Sequence, residues 1–348
     1  MIIYIFLIVV LFVLSLLELG DLKVGTTVKS VVTIALVAFS GFRYYIGSDY
    51  VSYVNLFSYP EDLPGLEWGF SFLIDFVHLV NGKVQLLFLL SAVLVMVPLA
   101  YVLNTFCYKY YITSLTVYVS SFIYFESMNT VRQAIAMSFM MCAICLFANS
   151  EKKRLFILFS LFAALFHYSA LIISIVAYFV VKLSKSELKT KYLLFFLVFS
   201  FVIGRNISSL FSVLLQISSL LGYGQYMDNF EMRGVSTGSF QYLLNIYAIG
   251  TILYYKNAFT LSKFNVSILN LFVLSIIFYN LFIDFYIGLR FYWYFFLFIV
   301  FVIPMICGNF LYRQRIIVFA LLIAPLLLFT LVSLNSVDYL PYNVSFNF

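Results

Sequence analysis

The sequence predicts an all-α polytopic membrane protein of twelve transmembrane helices, thirteen if residues 67–80 also span, in one integral domain over residues 1–348. Three observations predict it. Hydrophobic residues make up 64% of the chain and charged residues 10%, and a mean hydropathy of +1.07 excludes a soluble globular domain. Apolar runs of membrane-helix length recur from Ile2 to Thr330. Lysines collect in loops at 152–153, 182–191 and 256–263, as at the cytoplasmic ends of spans.

The first run, 2–19, lacks a basic n-region and ends Leu17-Glu18-Leu19-Gly20, which is no small-residue cleavage site. It reads as a retained span and not a signal peptide. Spans follow at 28–44, 84–103, 111–126, 131–148, 154–166, 168–182, 191–205, 240–256, 264–283, 291–308 and 315–334. Twelve spans put both termini outside and nearly every lysine inside, with Arg154, Arg313 and Arg315; Lys83 alone dissents. Residues 67–80 carry Glu67, Asp75 and His78, which suits an amphipathic or re-entrant helix on the outer face.

Residues 154–181 need a break. As one helix they would reach roughly 42 Å against a hydrocarbon core of about 30 Å, and one span there would carry the 182–191 lysines outside. Two short helices meeting at Phe166-His167-Tyr168 keep those lysines inside and hold His167 below the outer surface. The outer face then has the loops 43–83 and 204–240 and the corners 126–132 and 284–290. The long 204–240 loop is rich in Gly, Ser and Tyr, and ordered loops of that length are usually functional.

Five of the eight arginines, Arg43, Arg132, Arg205, Arg233 and Arg290, fall on that outer face among Asp, Glu and Tyr. Arginine beside carboxylates and a lone His167 suits the gripping of a diphosphate with chemistry next to it. Arg132 opens a span, behind Asn129 or Thr130 as the cap. A cation in a first turn opposes the helix dipole, and an anion bound there removes the conflict. Pairing with Glu126 is the bland alternative. Arg290 stands in the same relation to its span, with Asp284 as the bland partner. Arg43 precedes a Gly-Ser turn, Asp49, Tyr50 and Tyr53, a composition suited to phosphate and sugar contact. His167 is either a packing histidine or a general base; His78 has the weaker case.

Other chemistries find no support in the sequence. Cys107, Cys142, Cys145 and Cys307 lie in or near apolar helices, and Cys142-x-x-Cys145 has no second ligand pair, so packing is their role. No Walker motif, zinc spacing or cytoplasmic D-x-D occurs, so no metal or cofactor is expected. The net charge of +6 is mostly lysine and needs no nucleic-acid partner.

At this point the residues resemble a family. Arg43 with Gly47-Ser48-Asp49-Tyr50-x-x-Tyr53, then Glu67-x-Gly69-Phe70, Asn129-x-x-Arg132-Gln133-x-Ile135-Ala136 and Phe166-His167-Tyr168-Ser169-Ala170-Leu171 stand in the order typical of the EpsG family of Wzy-like polysaccharide polymerases. Motifs run through roughly residues 1–180; beyond them the likeness is hydropathy plus Arg290. Ser48 replaces a common Thr, and Trp68 stands where Pro is usual. The resemblance implies a GT-C-like fold in the cytoplasmic membrane. It implies polymerisation, on the outer side and without a metal, of undecaprenyl-diphosphate-linked oligosaccharide repeat units, as in O-antigen, capsule or exopolysaccharide synthesis. A chain-length regulator or a repeat-unit flippase would be its protein partner.

On this reading the transfer is of inverting type. Arg132, Arg290 and Arg43 neutralise the diphosphate, and His167 or Asp49 takes the acceptor proton. Tyr50, Tyr53, Glu67, Gln133, Arg205, Arg233 and Asp284 line the substrate. A glycan ligase would share the donor site. A flippase or transporter for the same lipid would instead place polar residues at mid-membrane and on both faces, often with internal repeats. No repeat occurs, and the charge that suggests function lies on one face, which favours the enzyme. An acyltransferase lacks an identifiable partner for its base.

Overall fold

A computed structural model of the chain describes residues 1–59, 66–185, 189–218, 239–256, 262–283, 286–335 and 337–347. The chain divides into two compact units, Met1–Val181 with Ile299–Phe348, and Lys182–Phe298.

The first unit holds α1 (Ile2–Leu19), α2 (Thr26–Gly41), β1 (Arg43–Tyr44), α3 (Tyr50–Ser58), α4 (Trp68–Leu79), α5 (Val84–Phe106), α6 (Tyr111–Ser120), α7 (Ile123–Asn129), α8 (Val131–Ser150), α9 (Lys153–Phe166) and α10 (Ser169–Leu183). The second has α11 (Thr190–Ser218), α12 (Ser239–Lys256), α13 (Lys263–Leu281) and α14 (Tyr286–Phe296). The first then resumes with α15 (Ile299–Gly308), α16 (Tyr312–Leu334) and β2 (Asn343–Val344). Among the described residues, six helical stretches are long and apolar enough to cross a membrane: α1, α5, α8, α13, Gly288–Gly308 and α16. The molecule is a multi-pass, all-α membrane protein.

In the first unit α8 is the hub, packed against α9 and α5. It is apolar on every side and studded with Ala134, Ala136, Ala143 and Ala148, which lets neighbours approach closely. By contrast, α16 leaves most of its apolar surface outward. The four cysteines are buried.

The break expected at His167 is present. α9 ends at Phe166 and α10 begins at Ser169. Tyr178, near the end of α10, meets Phe156, near the start of α9, with ring centroids 6.0 Å apart, so the two helices form an antiparallel hairpin with His167 at its tip. Each climbs only about 20 Å. Lys153 and Lys182 consequently sit at the same end of the hairpin, away from His167.

That end gathers other cations. Asp21 binds Lys109 at 2.9 Å and Arg315 at 2.8 Å, and Lys29 donates to the Tyr108 carbonyl at 2.6 Å. Nearby, the Glu18 carboxylate accepts from the Ile112 and Thr113 amides at 3.0 and 2.8 Å, satisfying donors of the first turn of α6. The opposite end holds both chain ends: the Tyr4 hydroxyl donates to the Tyr339 carbonyl at 2.7 Å, and β2 pairs antiparallel with β1. Lys83 is at this second end, bonded to Asn347.

Several boundaries differ from the sequence reading. The 111–126 span is two helices, α6 and α7, broken at Phe122, whose φ of 66° turns the chain without a glycine. The 43–83 loop is largely helical, and 67–80 is the helix α4 against α5 and α9. The 204–240 loop begins as helix, since α11 runs to Ser218. The 291–308 span is interrupted at residues 297–298, where α14 gives way to α15.

Candidate functional site

α8 starts at Val131 with Arg132 in its first turn. Neither expected cap closes it: the Thr130 hydroxyl donates back to the Glu126 carbonyl at 3.1 Å, and the Asn129 amide turns to Tyr339. The guanidinium therefore faces the positive end of the helix dipole and needs an anion. The protein supplies one from elsewhere. Arg132 Nη1 pairs with Glu67 Oε2, not with Glu126.

Glu67 is the residue before α4, in extended conformation (φ −64°, ψ 134°). Its carbonyl accepts the Phe70 and Ser71 amides at 3.0 Å, which opens the helix and leaves the side chain free to reach outward. Gly69 sets the approach of α4 to α9. A Cβ there would stand 2.8 Å from the Leu165 carbonyl oxygen, so a side chain would push α4 off the last turn of α9. With that contact closed, Glu67 Oε1 meets His167 Nδ1 at 2.9 Å.

His167 sits between two helices. Its N–H closes α9 on the Ala163 carbonyl, and its carbonyl accepts the Ala170 amide that opens α10, both at 3.0 Å. A carboxylate facing Nδ1 fixes that nitrogen as the donor and leaves the Nε2 lone pair available. The His167 side chain is 15% exposed and Glu67 5%, so the carboxylate is interior while the imidazole remains reachable. Burial pushes the Glu67 carboxyl upward, but the His167 hydrogen bond and the Arg132 charge outweigh it and hold the group below its ordinary value. Tyr53, buried on α3, is within electrostatic reach of Arg132; burial raises its phenol, which stays protonated.

Three motifs far apart in sequence thus close on one carboxylate: Arg132, Glu67 and His167, with Tyr53 behind. Asp49 lies one turn before Tyr53 at the start of α3, partly exposed, with the Ser48 hydroxyl at 3.4 Å. Tyr50 is elsewhere, stacked on Phe88 at 4.9 Å and buried. Gln133 is buried on α8.

Arg43 is built into the interior of the fold. It is 1% exposed, stacks on Phe88, and donates to the Ser40 and Met128 carbonyls at 2.8 and 2.9 Å. These carbonyls belong to the C-terminal turns of α2 and α7, whose dipoles favour a cation. The cavity beside it, lined by Ser40, Ser91 and Tyr124 among others, has room for about one water. His78 stacks on Phe57 and meets its carbonyl at 2.9 Å, a packing role.

The remaining residues belong to the second unit. Arg290 is on α14 and partly exposed. Arg233, Asp284 and the Arg205 side chain lie outside the described residues. The second unit also contains a buried amide network: Asn280 accepts from Gln241 and Asn245 at 3.1 and 2.9 Å and donates to Ser200 at 3.1 Å. Gln241 is near the start of α12, Asn280 near the end of α13 and Ser200 well inside α11, so the network ties the three helices together.

The sequence marks Glu67 only as a substrate contact and gives no sign of Tyr339, which accepts from Asn129 Nδ2 at 2.6 Å. No motif signals the tail residue.

The EpsG family model matches residues 26–344, nearly the whole chain, and the protein belongs to the EpsG family, a polysaccharide-related group of membrane proteins. No curated protein and no solved structure matches it.

Proposed function

We propose that this protein is a polysaccharide polymerase that joins undecaprenyl-diphosphate-linked oligosaccharide repeat units on the outer face of the cytoplasmic membrane. One observation carries the reading: a buried carboxylate shared by a reachable histidine and an arginine at a helix start. Glu67 accepts the Nδ1 proton, orients the ring and stabilises the imidazolium that forms when Nε2 takes a proton. Arg132 supplies a planar guanidinium, one-third exposed, for the diphosphate.

In the proposed step, His167 removes the proton from an acceptor sugar hydroxyl. That oxygen bonds to the donor's anomeric carbon as the anomeric carbon–diphosphate oxygen bond breaks, and the electron pair leaves with polyprenyl diphosphate. Before the step, Arg132 and Glu67 cancel in charge. Once His167 is protonated the cluster is net positive, just as the leaving group separates. Attraction to the leaving group therefore grows along the reaction, which is what transition-state stabilisation requires.

In this reading the chain crosses the membrane twelve times in a GT-C-like arrangement, and the cluster faces outward. Supporting it within the first unit, the cluster and both chain ends lie opposite Lys29, Lys109 and Lys153. A chain-length regulator or a repeat-unit flippase is the proposed protein partner.

The test is His167→Gln, which keeps hydrogen bonding and approximate size but accepts no proton at neutral pH. Purified variant should bind the lipid-linked unit and leave it unpolymerised, a loss of about 10² to 10⁴-fold. Normal-length polymer from that variant would remove His167 as the base and pass the role to Asp49.

A further inference from the structure

Beyond α16 the chain turns back over the end of the first unit that carries the cluster. A 3-10 turn at Val337–Tyr339 leads to β2. The Asp338 carbonyl accepts the Gly47 amide at 2.7 Å, and the Ser345 amide donates to the Phe42 carbonyl at 2.9 Å. Gly47 has φ +98°, and a Cβ there would stand 2.3 Å from Asn129 Oδ1, so only glycine lets this turn lie against the α7–α8 corner. Tyr339 is 3% exposed. Its ring stands edge-on to Phe122 at 5.7 Å, and its hydroxyl accepts from Asn129 Nδ2 at 2.6 Å. Tyr342 stacks on Phe39 at 4.3 Å and donates to its carbonyl at 2.6 Å.

The corner under this tail is buried, but the start of α8 has no side-chain cap. Thr130 does not cap α8, and the cation in the first turn opposes the dipole. Two anchors fix the segment just before Arg132: the Arg43 guanidinium on the Met128 carbonyl, and the Tyr339 hydroxyl on the Asn129 amide. Arg43 is itself tied to the tail, since it pairs with Val344 across the β1–β2 ladder. Both anchors therefore meet the same strap.

We infer that the C-terminal tail is a positioning strap, with Tyr339 as its principal residue: it fixes the α7–α8 corner and so aims Arg132 at the leaving group beside His167. The chemistry of this inference rests on the polymerase reading; the bracing itself rests on the contacts alone.

Two measurements on full-length Tyr339→Phe protein in lipid nanodiscs test it, since Phe keeps the ring packing and loses only the hydroxyl. Amide hydrogen exchange over residues 123–134 should quicken, while exchange around Asp21 and Lys109 at the far end should not. Turnover of the lipid-linked repeat unit should fall about 10-fold or more with KM changed less than about twofold, because misplacing a group that acts in the transition state costs rate more than binding. Asn129→Ala should show the same split, and the double variant should be no slower than the slower single one.

Unchanged exchange at 123–134 overturns the strap whatever the activity; faster exchange with normal turnover reduces it to a structural tie. If Tyr339→Phe does not accumulate, Ser345→Pro removes one tail amide and leaves Tyr339 intact. Exchange at 42–47 should then rise together with that at 123–134, and a rise at 42–47 alone overturns the proposal. Wild-type protein that elongates nothing would sink the polymerase reading, and the exchange result would still decide the strap.

Discussion

Two clusters in the first unit share a composition and differ in surroundings. At one end Asp21 lies between Lys109 and Arg315; at the other Glu67 lies between Arg132 and His167. The Asp21 side chain is 52% exposed and Glu67 5%. Both carboxylates are held below their ordinary value. For Asp21 the Lys109 and Arg315 hydrogen bonds do this with little opposition, whereas at Glu67 burial pulls the other way and the partners must overcome it. An exposed ion pair trades water for a partner at nearly equal free energy. A buried one cannot return to water, so removing one member leaves the others stranded. The exposed cluster is an end clamp; the buried one has the pre-organisation a reacting site needs.

The largest break in this comparison is Glu67→Ala. It should abolish polymer formation and cost roughly 3 kcal/mol of stability, at the low end for a buried pair because Arg132 is one-third exposed. Glu67→Gln keeps an acceptor for His167 but not the charge for Arg132, so it should fold and still be nearly inactive. Thermal unfolding with an in vitro polymerisation assay separates the two, and near-normal polymer from Glu67→Gln would return Glu67 to a packing role.

Gly69→Ala comes next. It leaves all three side chains in place and moves only the approach of α4 to α9, where the obstacle is Leu165 backbone and cannot swing aside. Overpacking of this kind costs about 1–3 kcal/mol. Lengthening the Glu67–His167 contact should lower turnover about 10-fold while donor binding by titration stays near wild type. Equal turnover in the variant would mean that the dyad tolerates slack.

How much of this was legible in the sequence depends on range. The break at His167 followed from helix length against membrane thickness, and Arg132 at a helix start from the position of its span. Both are local. The Glu67 bridge joins residues 65 and 100 apart, and no periodicity reports which of several carboxylates reaches an arginine that far away. The sequence reading offered Glu126, six residues from Arg132, because nearness along the chain was the only available measure. The surroundings of Arg43 were illegible for a related reason: its residue type suits phosphate, and its neighbours are carbonyls of two helix ends that only the fold brings together. The Phe122 break was invisible because no Gly or Pro marks it.

The pH response is a smaller and sharper probe of the buried cluster. Glu67 has its folded-state pKa lowered from an ordinary 4.5. Its contribution to stability is therefore fully present above about pH 4.5 and is lost as pH falls through the folded value. Wild type in nanodiscs should lose its stability advantage over Glu67→Gln only as pH falls below the ordinary value of 4.5, and the two melting curves should converge towards the acid end. A difference that stays constant below that value would mean that the carboxylate charge is not what the cluster gains from Glu67.

The smallest effect is expected at the other cluster. Asp21 is also depressed by its partners, so the sign is the same: its contribution is lost as pH falls. Its size is not, because water competes for both cations and salt screens the pairs. Asp21→Asn should shift the melting temperature by no more than about 2 °C, and added salt should erase even that. Polymer length and yield should match wild type, since among the described residues nothing at that end touches Arg132, Glu67 or His167. If Asp21→Asn instead lowered activity with insertion intact, the two ends would be coupled through the helices between them, and separating a clamp from a reacting site by burial alone would be wrong.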